Sequence, residues 1–120
     1  MRTSVLIADD SEVMRKAITF FLKDQLEVSL VGEAASLDQA VKMTNELHPD
    51  VVVLDLHMPE RSGVGAIKNL VNGSKILAVT FGAGEEARDL AEHLGADKLL
   101  DKMNLTEELV PAIMQLARVS

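Results

Sequence analysis

The sequence predicts an α/β three-layer sandwich, with a five-stranded parallel sheet between two layers made of five helices. Three observations carry this prediction. Apolar runs alternate with helix-period stretches from one end of the chain to the other. The runs are continuous rather than alternating, as strands buried on both faces require. Of the 120 residues, 48% are hydrophobic, which suits one buried core and leaves little room for a second. A single domain over residues 1–120 is therefore expected.

The first strand is Val5–Ala8, ending at Asp9. Val13, Met14, Ala17, Ile18 and Phe21 then share one helical face, opposite Glu12, Arg15, Lys16 and Lys23. A second strand runs through Val28, Leu30 and Val31. Ser36 with Gln39 reads as a capping box, opening a helix whose stripe is Leu37, Ala40, Val41, Thr44 and Leu47. Pro49 ends that helix, and Val51–Leu54 form the third strand, ending at Asp55. A third helix carries Val64, Ile67, Leu70 and Val71 and stops at Asn72-Gly73. Ile76–Val79 form the fourth strand, ending at Thr80. Ala87, Leu90, Ala91 and Leu94 mark the fourth helix, with Gly95 as its stop. A weaker strand, Lys98–Leu100, precedes Lys102. The last helix carries Leu105, Leu109, Ala112, Ile113 and Leu116, with Pro111 expected in its early turns as a point of bending. Val110, Met114 and Ala117 form a second stripe, readable as core edge or as a dimer or output surface.

Composition narrows the function. The net charge is −7, and an acidic surface repels phosphate backbones, so no direct nucleic acid binding is expected. Three Phe, no Trp and no Tyr leave little for base stacking. Without cysteine there is no disulfide, thiolate nucleophile or Cys-based zinc site. No signal peptide and no membrane span are expected, which predicts a cytoplasmic protein. His48 and His93 read as solvated helix-end residues, and the six Met as core filler.

In open parallel sheets, ligands bind outside the carboxyl ends of the strands. There stand Asp9 and Asp10 after strand one, Asp55 after strand three, Thr80 after strand four and Lys102 after strand five. Singly, each has a plain reading: Asp10 or Ser11 as a helix cap, Asp55 as a loop residue, Thr80 as a strand residue, Lys102 as a solvated charge. Their joint placement at one pole favours a shared site. Three crowded carboxylates repel by roughly 4 kcal/mol per pair at ~4 Å and an effective dielectric near 20. Such a cluster calls for a cation, and an all-oxygen pocket suits Mg²⁺. A hydroxyl and a fixed ammonium can then serve phosphoryl oxygens, while a carboxylate acts as nucleophile.

Four segments resemble the receiver domain of two-component response regulators, over essentially the whole length. They are Ile7-Ala8-Asp9-Asp10-Ser11, Asp55-Leu56-His57-Met58-Pro59 with Gly63, Val79-Thr80, and Gly95-Ala96-Asp97 leading to Lys102. The resemblance implies the flavodoxin-like strand order 2-1-3-4-5 and a phosphoacceptor role for Asp55. It implies direct Mg²⁺ ligation by Asp10, Asp55 and the His57 carbonyl, with Asp9 acting through water. Thr80 would move to the phosphoryl group and Lys102 would pair with it. The donor would be a sensor histidine kinase or a phosphotransfer protein, and the recipient of the signal an output domain or target protein. A homodimer through the fourth helix, fifth strand and fifth helix is a further implied assembly. The chain would not act as an enzyme beyond transfer to its own Asp55 and slow autodephosphorylation.

Three positions depart from the family pattern. Leu99 replaces the usual aromatic switch residue, Phe81 a usually small one, and Met103 a frequent proline preceded by a cis bond, so no cis bond is expected. Phe81 is expected to narrow access to Asp55 and slow both phosphorylation by small donors and hydrolysis. Gly82 and Gly84 give the adjoining loop freedom to rearrange, and the His57 side chain is a candidate for tuning hydrolysis.

Rival readings fit less well. A Mg²⁺-dependent phosphatase with an aspartate nucleophile would carry an acid two positions on, where His57 stands. A cobalamin-binding module would need Gly where Glu60 stands. The intact acidic, hydroxyl and lysine set argues against a degenerate receiver acting as a phosphorylation-independent docking module, while Phe81 and Leu99 keep that alternative open. The sequence fits both a stand-alone regulator and a receiver cut from a longer one.

Overall fold

The computed structural model describes residues 2–58 and 73–118. Along these the elements are β1 (Thr3–Ala8), α1 (Glu12–Leu22), β2 (Val28–Ala34), α2 (Leu37–Leu47) and β3 (Val51–Asp55). They continue with β4 (Lys75–Thr80), α3 (Glu85–Leu94), β5 (Lys98–Asp101), a 3-10 turn over Lys102–Asn104, and α4 (Leu105–Arg118). The helix expected through Val64, Ile67, Leu70 and Val71 lies outside the described residues, as do Pro59, Gly63 and Asn72. Four helices thus stand among the described residues.

The sheet has the expected order β2-β1-β3-β4-β5, and every neighbouring pair is parallel. Its residues divide between two cores, as the period of two demands. Val5, Ile7, Val51, Val53, Leu77 and Val79 face α1 and α4, while Leu6, Ala8, Val52, Leu54, Ile76 and Ala78 face α2 and α3. The continuous apolar runs are thereby explained, since a central strand with helices on both sides has no wet face. In β2 the register slips between Val5↔Leu30 and Leu6↔Gly32, which leaves Val31 unpaired with β1.

Some expected core positions are on the surface. Val13 is 80% exposed and Ala17 is also exposed, because α1 meets the sheet through Ile18 and Leu22, with Met14 and Phe21 half-buried beside them. Val13 and Ala17 sit one residue before that line, which on a helix is a rotation of about 100°. Leu47, at the last turn of α2, is likewise exposed. The capping box is formed with a shift. Ser36 Oγ accepts from Gln39 N at 3.1 Å, while Gln39 Oε1 accepts from Ala35 N at 2.7 Å, one residue before the cap.

Pro111 does not interrupt α4, which runs through it with Leu109 and Ile113 fully buried on either side. Val110 and Met114 pack against the core, so this part of the second stripe is core edge, whereas Ala117 is exposed. No peptide bond among the described residues is cis, including the one before Met103.

Candidate functional site

Parallel pairing puts the carboxyl ends of β1, β3, β4 and β5 on one edge. Asp55 and Thr80 are the last residues of β3 and β4, Asp9 directly follows β1, and Lys102 directly follows β5. Buried apolar residues directly precede Asp9, Asp55 and Thr80, while Lys102 follows buried Leu100 with half-buried Asp101 between.

Asp9, Asp10 and Asp55 each place a carboxylate oxygen within 4.8 Å of the others. Asp9 and Asp55 are buried and Asp10 is exposed, giving a pocket with one open side. Lys102 reaches into it with a side chain only 6% exposed. Its Nζ lies 2.9 Å from Asp9 Oδ2 and 3.3 Å from Asp55 Oδ1. The other Asp9 oxygen accepts from Ser11 N at 2.9 Å, so both oxygens of Asp9 are engaged by N–H groups. Ser11 is the helix cap, accepting from Met14 N at 3.2 Å, which leaves the Asp10 carboxylate for the pocket.

Burial pushes the Asp55 carboxyl above its ordinary value of 3.8. The His57 backbone N–H, donating to Asp55 Oδ1 at 3.1 Å, works against that, the Asp9 charge adds to it, and Lys102 opposes it. With three carboxylates and one ammonium the fully ionised pocket carries two unbalanced negative charges. Hard, oxygen-bound divalent cations match both that charge and that donor set.

Thr80 is fully buried, and its Oγ1 lies 2.7 Å from Nε2 of the His57 ring. Phe81, 56% exposed, stands at the rim with Lys102 Nζ 5.3 Å from its ring centre, a cation–π approach. Leu99 does not join this group. It is half-buried and packs with the α2/α3 core on the far side of β5.

Three contacts were not legible in the sequence. Arg15 looks like a solvated residue of α1, yet its Nη1 donates to the Asp9 carbonyl at 2.6 Å and its Nε lies 3.5 Å from Glu33. The Asp101 carboxylate accepts from Met103 N at 2.9 Å and Ala83 N at 3.3 Å, which ties the loop after β4 to the turn holding Lys102. These N–H groups, that of Met103 foremost, hold the Asp101 carboxyl below its usual value. An aspartate ending a strand just before a helix is a capping signal that could have identified it. Gly82, in that loop, has φ +79, a conformation L side chains rarely adopt. The third contact is the one between His57 and Thr80, which depends on a rotamer and leaves no trace in spacing.

Residues 5–114 match the response regulator receiver domain family. The chain belongs to that family. Among its relatives, a protein-glutamate methylesterase/protein-glutamine glutaminase of Methanosarcina acetivorans is 39% identical over 100 residues, covering 80% of this chain. The match spans only 28% of that relative's length. Among solved structures, the response regulator domain of Thermotoga maritima CheB superposes with a TM-score of 0.87 at 26% identity, covering 100% of this chain and 99% of that one. A chain from the complex of the CheA3 P1 domain with CheY6 of R. sphaeroides has a TM-score of 0.82 at 27% identity, with 95% of each chain covered. No helix among the described residues is long and apolar enough to cross a membrane.

Proposed function

We propose that this receiver domain, taken as one unit over residues 1–120, accepts a phosphoryl group on Asp55 in a Mg²⁺-dependent reaction. The observation that carries the reading is the convergence of Asp9, Asp10 and Asp55 with Lys102 buried between two of them. Asp9, Asp10, Asp55 and the His57 carbonyl would hold Mg²⁺, which supplies charge neutralisation for the incoming phosphoryl oxygens.

The chain's own groups account for the rest. The His57 N–H and the Lys102 ammonium both bond Asp55 Oδ1. That orients the carboxylate and leaves Oδ2 as the candidate attacking atom. In the transfer a P–N bond to a donor histidine breaks, a P–O bond to Asp55 forms, and the imidazole keeps the electron pair. Lys102 can then turn from the carboxylates to a phosphoryl oxygen, and Thr80 can bring its hydroxyl to another. Positioning and charge account for catalysis of this kind. The only chemistry proposed is this transfer and slow hydrolysis of its own product.

The donor is a sensor histidine kinase or a phosphotransfer protein, a partner class supported by the likeness to a chain found in the CheA3 P1–CheY6 complex. Output passes to a linked domain or a separate target, with a homodimer through α3, β5 and α4 as one assembly, and the setting is cytoplasmic. Incubation with acetyl phosphate and Mg²⁺, followed by intact mass measurement, tests the reading. One phosphoryl adduct, absent when the metal is chelated, is expected. A chain that stays unmodified with Mg²⁺ present would refute it.

A further inference from the structure

Thr80 is 0% exposed, and a buried hydroxyl needs a partner. Its available partners among the described residues are the His57 ring, 2.7 Å from Oγ1, and the carbonyl of Phe81, at a marginal 3.5 Å. The imidazole is therefore the group that sets where the hydroxyl points. The His57 backbone serves Asp55, while its side chain, on an otherwise exposed residue, serves Thr80.

We infer that His57 is a positioning residue, whose ring latches the Thr80 hydroxyl in the unphosphorylated domain and must release it before Thr80 can bond a phosphoryl oxygen. This inference rests on the phosphoacceptor reading of Asp55. A threonine hydroxyl has a single proton to donate. When it donates to the neutral ring nitrogen, that proton is unavailable to an anion at Asp55. When the ring nitrogen donates instead, the hydroxyl is still held toward the ring. In the first tautomer the ring and the phosphoryl oxygen compete for that proton; in the second they compete only for the position of Oγ1, held 2.7 Å from the ring. Because Leu99 offers no aromatic ring to coordinate with Thr80 movement, this bond is the specific restraint on that hydroxyl visible among the described residues.

Removing the ring should favour the phosphorylated arrangement by about the net worth of one neutral hydrogen bond, roughly threefold to tenfold in an equilibrium constant. The test uses beryllium fluoride with Mg²⁺ as a phosphoryl mimic, titrated into wild type, His57→Leu, Thr80→Ala and the double variant. His57→Leu is expected to bind about threefold to tenfold more tightly than wild type. In the Thr80→Ala background the same substitution is expected to have almost no effect, because there is no hydroxyl to release. An equal effect in both backgrounds would overturn the latch, since His57 would then act by bulk or charge alone. So would unchanged affinity in His57→Leu with Thr80 present. Failure of wild type itself to bind would overturn the phosphoacceptor reading, and the latch with it.

Discussion

Asp55 carries its charge in a place that does not favour it. Burial raises its carboxyl above the ordinary value of 3.8, and the Asp9 charge adds to the effect. Its proton-bound form stabilises the fold fully below that ordinary value, and the benefit is lost as pH rises through the raised folded value. At neutral pH without metal the ionised group therefore weighs against folding. Asp55→Asn, which keeps an acceptor for the His57 N–H, should unfold at a higher temperature than wild type in metal-free buffer. Mg²⁺ should raise the wild-type midpoint and narrow the gap. A variant midpoint below wild type in thermal melts with chelator would show that the pocket is not strained by its charge. Phe81 invites a second prediction. Its ring covers Lys102 at the rim, so Phe81→Ala should speed both phosphorylation by acetyl phosphate and subsequent hydrolysis severalfold. Unchanged rates in both directions would remove the gate.

At the scale of elements, the two helices that share one core differ in how they use their apolar residues. In α4, Leu109 and Ile113 are fully buried on the core-facing side, and Pro111 is tolerated between them because it faces solvent. In α1, Ile18 and Leu22 carry the contact while Val13 and Ala17 stand outside it. Truncations should separate accordingly. Leu109→Ala is expected to cost about 2–5 kcal/mol in urea unfolding, and Val13→Ala to stay within about 0.5 kcal/mol. A comparable cost at both sites would mean that α1 packs through the face the sequence first suggests. Strand ends were easier to read than helix faces. A continuous apolar run ending in Asp marks a strand and its site residue together, whereas an amphipathic stripe four or five residues wide leaves its rotation undecided.

For the molecule as a whole, topology does most of the work of building the site. Five parallel strands in the order β2-β1-β3-β4-β5 deliver Asp9, Asp55, Thr80 and Lys102 to one edge from four separate segments. That convergence was legible because each residue follows an apolar run, and parallel order does the rest. What the sequence withheld were links set by side-chain reach: Arg15 to the Asp9 carbonyl, Asp101 to the loop after β4, and the His57 ring to Thr80. Such links depend on rotamers and loop paths, which have no periodic signature. The role of Asp55 is most directly tested by locating the phosphoryl group itself. After acetyl phosphate and Mg²⁺, borohydride reduces an aspartyl phosphate to homoserine, and peptide mass spectrometry reads where the homoserine lies. Homoserine at position 55, and none anywhere in Asp55→Asn, is the predicted result. Homoserine at Asp9 or Asp10, or an adduct that persists in Asp55→Asn, would contradict it.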